Sequence, residues 1–340
     1  RQFLRSFSQK HSFAMLADAI HGLSDLRVLL VGDAIIDEYC YCASLNKSAK
    51  SHLVATQYLD EESFAGGSFA VANHLSGLCR QVHLVCLLGQ EDSREEFIRD
   101  LLRENVDAKF FYREDGPTTI KRRYIQQHQN QKLFEVNYIN DRPLKEACQA
   151  EIARHLEAVI GDYDLVLVSD FGHGLMSPVL TRILETRARF MAVNAQINAA
   201  NSGYNLITKF NRADYICLDE SEARLATQDR FGDIEDTARR LAAQLKTKNL
   251  IVTLGKKGSV GIDKTGGINH TPIFSSKVVD TVGAGDAFFA FIAPCFAAKL
   301  PQEVVSFIGN AVGSLAVQIV CNREPVKSVD LIKFITRLLK

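Results

Sequence analysis

The sequence predicts an α/β protein with a mainly parallel central sheet covered by helices on both faces, and three observations carry that prediction. Short runs rich in β-branched and aliphatic residues alternate with amphipathic stretches, which is the order of βα units. The runs are apolar throughout, as strands buried on both faces must be. The 340 residues, 46% hydrophobic and 24% charged, suffice for one large core with a small appendage.

Taken in order, the strand-like runs are 27–31, 82–88, 165–169, 190–193, 215–218 and 250–253. Helical stretches at 69–78, 93–105, 144–160, 178–186, 221–227 and 233–245 lie between or beside them, and another covers 304–320. Two segments break the rhythm. Residues 38–62 and 110–137 are polar, β-prone and poor in helix signals, so they read as extra strands outside the main sheet. Residues 1–25 read as a helical extension or linker ahead of one domain spanning 26–340. Arg1 in place of Met suggests a processed chain or an excised domain.

Forty basic and forty acidic residues balance, which removes the electrostatic case for a nucleic-acid or membrane-surface partner and leaves a small molecule. The eight cysteines are scattered without a C-x-x-C pair, and Cys40 and Cys42 would share one face of a strand. That pattern suits neither disulfides nor zinc and points to a reduced, cytoplasmic protein. The first apolar run, 28–36, is broken by Gly32 and Asp33, so it supports neither a signal peptide nor a membrane span.

Chemistry concentrates at Val278-Val279-Asp280-Thr281-Val282-Gly283-Ala284-Gly285-Asp286, a small-residue turn that runs into an apolar helix. Gly283, Ala284 and Gly285 let backbone N–H groups approach an anion, and the helix start adds its positive dipole end. Asp286 sits where it can take a proton from a hydroxyl. Phosphoryl transfer needs that combination: a cradle for the moving group and one base aimed at the nucleophile. The plainer reading is a Gly-rich turn with Asp286 as a cap, and the length of the pattern argues against it.

The stretch from Asp280 to Asp286 resembles the signature of the ribokinase-like (PfkB) carbohydrate kinases, with a likeness running from about Arg27 to Lys327. Within that family it is most similar to the bacterial heptose-7-phosphate kinase domains of ADP-heptose synthesis. Val31-Gly32-Asp33 with Asp37, Gly66-Gly67, Gly116-Pro117-Thr118-Thr119-Ile120-Lys121, Ser169-Asp170-Phe171-Gly172-His173-Gly174 and Val252-Thr253-Leu254-Gly255 follow the order of that subfamily. The resemblance implies a three-layer αβα sandwich whose two irregular segments form a small β lid. It implies ATP-dependent phosphorylation of a sugar or sugar phosphate hydroxyl, heptose 7-phosphate at C1 being favoured. It further implies ATP and Mg²⁺ as cofactors, a monovalent cation, a homodimer through the lid and a fused nucleotidyltransferase domain outside this chain. A nucleoside kinase of the same family and a non-catalytic sugar- or nucleotide-binding regulatory domain are the alternatives.

Carried onto this sequence, the resemblance makes Asp286 the base and Gly283, Ala284 and Gly285 the cradle. Asp37, Gly66, Gly67, Asp170 and Lys121 would bind substrate, with Asp33 a further candidate and Arg122 another cation for an anionic substrate. Asn194, Thr253, Gly255, Gly258 and Asn310 would border the nucleotide, and Asp219 with Glu222 would orient Mg²⁺-bound waters. Structural readings stand beside these. Asp37 suits a loop carboxylate, Asp219 an N-cap, Asn310 a satisfied helix amide and the amides from Gln196 to Asn201 turn chemistry. Ala70, where relatives carry Asn, and His173, where heptose kinases carry Lys, point to a reshaped substrate pocket, as does Asn194.

Overall fold

The computed structural model describes residues 2–45, 55–128 and 130–340, so the middle of the first irregular segment lies outside the described residues. Thirteen strands are present among them: β1 (Val28–Gly32), β2 (Ala34–Ser44), β3 (Thr56–Gly67), β4 (Val82–Gly89), β5 (Val106–Arg113), β6 (Thr119–Gln126), β7 (Gln131–Tyr138), β8 (Leu165–Asp170), β9 (Met191–Ala195), β10 (Tyr215–Asp219), β11 (Asn249–Thr253), β12 (Ser259–Ile262) and β13 (Ile268–Thr271). Nine form one sheet in the order β13-β12-β11-β10-β9-β8-β1-β4-β5, and four form a second, β3-β2-β6-β7.

From β11 across to β5 every neighbouring pair of the large sheet is parallel. Only β12 and β13 run antiparallel, at the edge. Their hairpin is closed by Asp263, whose carboxylate accepts from the Thr265 and Gly267 N–H groups. The sequence reading omits both strands because each is four residues long and three of the four residues of β13 are polar. It also assigns residues 110–113 to the lid, whereas they close β5 and pair in register with β4.

Consecutive side chains of each central strand feed opposite faces. Leu30, Leu84 and Leu167 pack with the helices Ala284–Ala297 and Gln302–Ala316, while Leu29, Val31 and Val168 pack with Leu156, Leu180 and Leu241. Of the two readings of the first 25 residues, helical extension or linker, the structure has the helices. These are Gln2–Lys10 and Phe13–Gly22, which bury Phe7, Leu16 and Ile20 in the first of these layers. Phe7 stacks on Phe307 with ring centroids 4.1 Å apart, and burying a side chain of this size contributes about 1.5–3 kcal/mol. Among the described residues no helix is long and apolar enough to cross a membrane.

Strand β1 separates the two halves of the large sheet, with β4 on one side and β8 on the other. Loops diverge at such a switch point and leave a crevice at the strands' carboxyl ends. The second sheet grows out of that point, because β2 starts two residues beyond β1 and β3 ends at Gly67. Its central pair, β2 and β6, is parallel and its outer pairs are antiparallel.

Candidate active site

Two cavities meet at the carboxyl edge of the large sheet. One, of about 460 Å³, lies between the ends of β8 to β11 and the second sheet, and is lined largely by polar groups that include Asp37, Lys121, Asn194, Asp219 and Asp286. The other, of about 290 Å³, is mainly apolar and is walled by Ile273, Val278, Phe288 and Val317. Thr253, Thr281 and Gly285 line both, so the turn that begins the helix Ala284–Ala297 forms the seam between them.

Gly283 precedes that helix with φ 83°, and a Cβ there would sit 1.9 Å from the Asn322 side-chain oxygen, so only glycine fits. In the first turn the Ala284 N–H donates to the Thr281 carbonyl at 3.3 Å, while the Gly285 and Asp286 N–H groups have no acceptor among the described residues and remain available to an anion at the seam. Asp286, in that first turn, is buried, and its Oδ1 accepts from Gln196 Nε2 at 2.9 Å. Burial pushes its carboxyl up to about 7, with the charge of Asp37 adding and the Gln196 donor and Lys121 opposing. A carboxylate poised there can both hold and release a proton near neutral pH.

Asp37, on β2, forms the opposite wall. Arg123 Nη1 donates to its Oδ1 at 2.5 Å, and Arg123 Nε reaches Glu135 at 2.7 Å. Gly66 pairs with the β2 segment so closely that a Cβ would lie 2.2 Å from the Asp37 carboxylate. Lys121 lies two residues before Arg123 on the same face of β6 and makes no hydrogen bond or ion pair among the described residues. Its ammonium sits 5.3 Å from the Phe171 ring, and burial lowers its pKa against the pull of Asp37.

Across the cleft, Asn194 donates to the Cys217 carbonyl at 2.9 Å and accepts from Gln196 at 2.7 Å. Asp219 and Glu222 form a capping box on the helix Glu220–Thr227: Asp219 accepts from the Glu222 N–H and Glu222 from the Asp219 N–H, both at 2.8 Å. Glu222 also accepts from the Ile197 N–H at 3.2 Å. Burial, followed by the charge of Asp219, lifts its carboxyl to about 8. Among the described residues no group of three or more His, Cys, Asp or Glu side chains converges on one metal position. Asp219 and Glu222 line the polar cavity together with Asp37, Glu135 and Asp286.

The apolar cavity gathers Thr253, Gly255, Gly258, Ala284 and Asn310. The Asn310 amide is spent on Ser259 Oγ at 2.7 Å and the Ser306 carbonyl at 2.9 Å, so it shapes the wall and fixes the helix against β12.

Five residues singled out in the sequence fall elsewhere. Asp170 turns away from the cleft into a separate pocket, where Lys209 pairs with its carboxylate. Asp33 accepts from the Phe171 and His173 N–H groups and so pins the loop after β8. Ala70 is 1% exposed and does not line the cleft, and His173 is buried with both ring nitrogens unpartnered, its pKa lowered to about 4 chiefly by burial. Arg122 points to the other face of β6, where it pairs with Glu38 at 2.6 Å. Strand alternation would have selected Arg123 instead, since residues i and i+2 share a face. Gln196, read as turn chemistry, is the side chain that holds Asp286, and no local pattern announces it. Asn198 and Asn201 do serve the turn, each donating to the Phe171 carbonyl.

With this geometry in place, comparison with known proteins gives a consistent result. A bifunctional protein HldE of Trichlorobacter lovleyi is 25% identical over 307 residues, covering 89% of this chain and 62% of its own length. Another from Nitratiruptor sp. is 27% identical over 293 residues, covering 84% and 60%. The chain thus spans about 60% of the length of these curated relatives. Escherichia coli phosphofructokinase-2 in complex with fructose-6-phosphate superposes with a TM-score of 0.73 at 15% identity, over 93% of this chain and all of that one. Arabidopsis thaliana ribokinase complexed with ribose and ATP gives 0.66 at 19% identity, over 93% and 99%. These two likenesses are of fold, which is ribokinase-like. The model of the pfkB family of carbohydrate kinases matches residues 25–326, and the chain belongs to that family.

Proposed function

We propose that this carbohydrate kinase transfers the γ-phosphoryl group of ATP to a hydroxyl of a sugar phosphate, with heptose 7-phosphate at C1 the favoured acceptor. The observation that carries the reading is Asp286: a buried carboxylate with its pKa near 7, at a helix N-terminus, on the seam between a polar and an apolar cavity. In this reading the polar cavity takes the sugar and the apolar one the adenine. Asp286 accepts the proton of the attacking hydroxyl, and the amides of Gly285 and Asp286 face the transferring group. Asp37 and Gly67 orient the sugar hydroxyls.

Lys121 favours an anionic acceptor over a neutral one, because it brings a buried positive charge with no partner among the described residues, whereas Arg123 is paired with Asp37 and Glu135. Asp219 and Glu222 would hold Mg²⁺ through its waters, and the ion, when bound, would neutralise charge on the nucleotide phosphates. The heptose preference rests on the resemblance to heptose kinases and on the HldE relatives, whose other portion this chain does not cover.

A phosphoryl-transfer screen with ATP and Mg²⁺ over heptose 7-phosphate, fructose 6-phosphate, ribose and a nucleoside tests the reading. The highest kcat/KM should fall on heptose 7-phosphate. A neutral sugar or a nucleoside as best acceptor would overturn the anionic-substrate assignment, and nucleotide binding without turnover on any acceptor would favour a regulatory domain.

A further inference from the structure

Asp280 lies outside the polar cavity, yet its carboxylate collects four donors from three parts of the molecule. Tyr39 Oη of β2 donates to Oδ2 at 2.6 Å and Lys132 Nζ of β7 to Oδ1 at 2.7 Å. The Val282 N–H donates to Oδ1 at 3.1 Å from within the Gly-rich turn itself, and the Cys321 N–H donates to Oδ2 at 3.1 Å from the loop beyond the helix Gln302–Ala316. The Lys132 ammonium also lies 5.6 Å from the centre of the Tyr39 ring. Beside this cluster is a cavity of about 260 Å³ that Tyr39, Lys132, Asp280 and Thr281 help to line.

We propose that Lys132 and Tyr39 are positioning residues, which through Asp280 tie the seat of the lid sheet to the shape of the turn that presents Gly283, Gly285 and Asp286. The two lid groups and the Val282 amide share one carboxylate, so a displacement of β2 or β7 that removes Lys132 or Tyr39 also changes what holds Val282. Charge-assisted bonds of this length are directional, and a turn that they orient keeps its amides aimed at one point. The cradle is then in order only when the lid is seated, which couples closure over the sugar to readiness for transfer. The catalytic part of this role rests on the kinase reading above, whereas the mechanical coupling of lid to turn does not.

The test uses Lys132→Ala and Tyr39→Phe in the full chain. Removal of Lys132 leaves a carboxylate without its ammonium next to an open cavity, so a small cation should enter. We expect Lys132→Ala to lose at least tenfold in kcat with the KM for ATP changed less than threefold, and methylammonium or K⁺ at millimolar concentration to restore much of the loss. Tyr39→Phe should show a smaller loss that no cation rescues. Hydrogen exchange at residues 281–286 of the free protein should be faster in Lys132→Ala than in the wild type. That arm needs no turnover, so it decides the coupling even for a wild-type enzyme that phosphorylates none of the sugars offered. Unchanged exchange in the turn overturns the coupling. An unchanged kcat in an active enzyme, or a loss matched by a fall in melting temperature and not rescued by any cation, overturns the positioning role.

Discussion

Asp280 and Asp286 flank one turn, are both buried, Asp286 more deeply among surrounding atoms, and are given opposite characters by their surroundings. Burial alone would lift both. At Asp280 the Lys132 ammonium and the Tyr39 hydroxyl more than offset it and hold the carboxyl below the usual carboxylate range. At Asp286 the direct donor is the neutral Gln196 amide, which opposes burial only in part, and the carboxyl stays near 7. Glu222 extends the series, since its acceptor bonds come from backbone N–H groups and its carboxyl rises to about 8. Between these three acids the number and charge of the donors, set against depth of burial, separate the anchor from the groups that can exchange a proton, and Asp170 marks the limit, since burial raises its carboxyl even beside Lys209.

The sharpest way to break the comparison is to remove the proton-accepting carboxylate. Asp286→Asn keeps the shape and loses the base, and a fall of roughly 10²- to 10⁴-fold in kcat is expected, with nucleotide affinity nearly intact. The same change should raise stability. An acid whose folded pKa is raised from 3.8 to about 7 costs the folded state increasingly as pH rises between those values, and the full cost is present above 7. The melting temperature of Asp286→Asn should exceed that of the wild type by more at pH 8 than at pH 5. A difference that shrinks as pH rises would show that Asp286 is not a strained acid.

Asp280→Asn should do the reverse. It leaves Lys132 without its counter-charge and sets one amide N–H₂ against donors, at a cost of about 1–3 kcal/mol in stability at neutral pH. A melting temperature as high as that of the wild type would remove Asp280 from the role of anchor.

These contrasts also show what sequence could reveal. Six of the parallel strands were legible because each is an apolar run buried on both faces, whereas β5, at the sheet edge and partly exposed, was not; the turn at Asp286 was legible because its residues are neighbours in sequence as well as in space. Lys132 is 148 residues from Asp280, Lys209 is far along the chain from Asp170, and Gln196 is 90 residues from Asp286. Such partners are chosen by where strands end in the finished sheet, so no local pattern records them. The pairing of Asp170 with Lys209 is why a plausible site residue turned out to face another pocket. Ala70 is buried and does not line the cleft, although its helix, Ser68–Ser76, starts directly after Gly67, which does.

A third prediction concerns Glu222, which pairs with no cation among the described residues. Its two backbone donors reach different oxygens, so Glu222→Gln keeps an acceptor for one, sets an amide N–H₂ against the other, and loses the charge that would face Mg²⁺ waters. The Mg²⁺ concentration needed for half-maximal turnover should rise about tenfold. The lost half of the capping box should cost about 1 kcal/mol or less in stability. A lower melting temperature with an unchanged Mg²⁺ titration would leave Glu222 as a cap and nothing more.

The smallest effect, and the most direct probe of donor charge, is expected at Gln196. The acidic limb of the kcat/KM profile should report Asp286, because the base must be ionised to work. The Gln196 amide pulls that carboxyl down against burial, so Gln196→Ala should move the limb to higher pH. Gln196→Lys replaces a neutral donor with a cation at the same oxygen and should move it to lower pH, making Asp286 resemble Asp280. The lysine variant should then turn over more slowly at its plateau, since a carboxylate with a lower pKa is a weaker base. Both variants must be compared at saturating nucleotide, because Gln196 also bonds Asn194 on the cleft wall. Limbs that coincide in all three proteins would mean that the contact orients Asp286 without setting its charge, and that burial and Asp37 govern its titration.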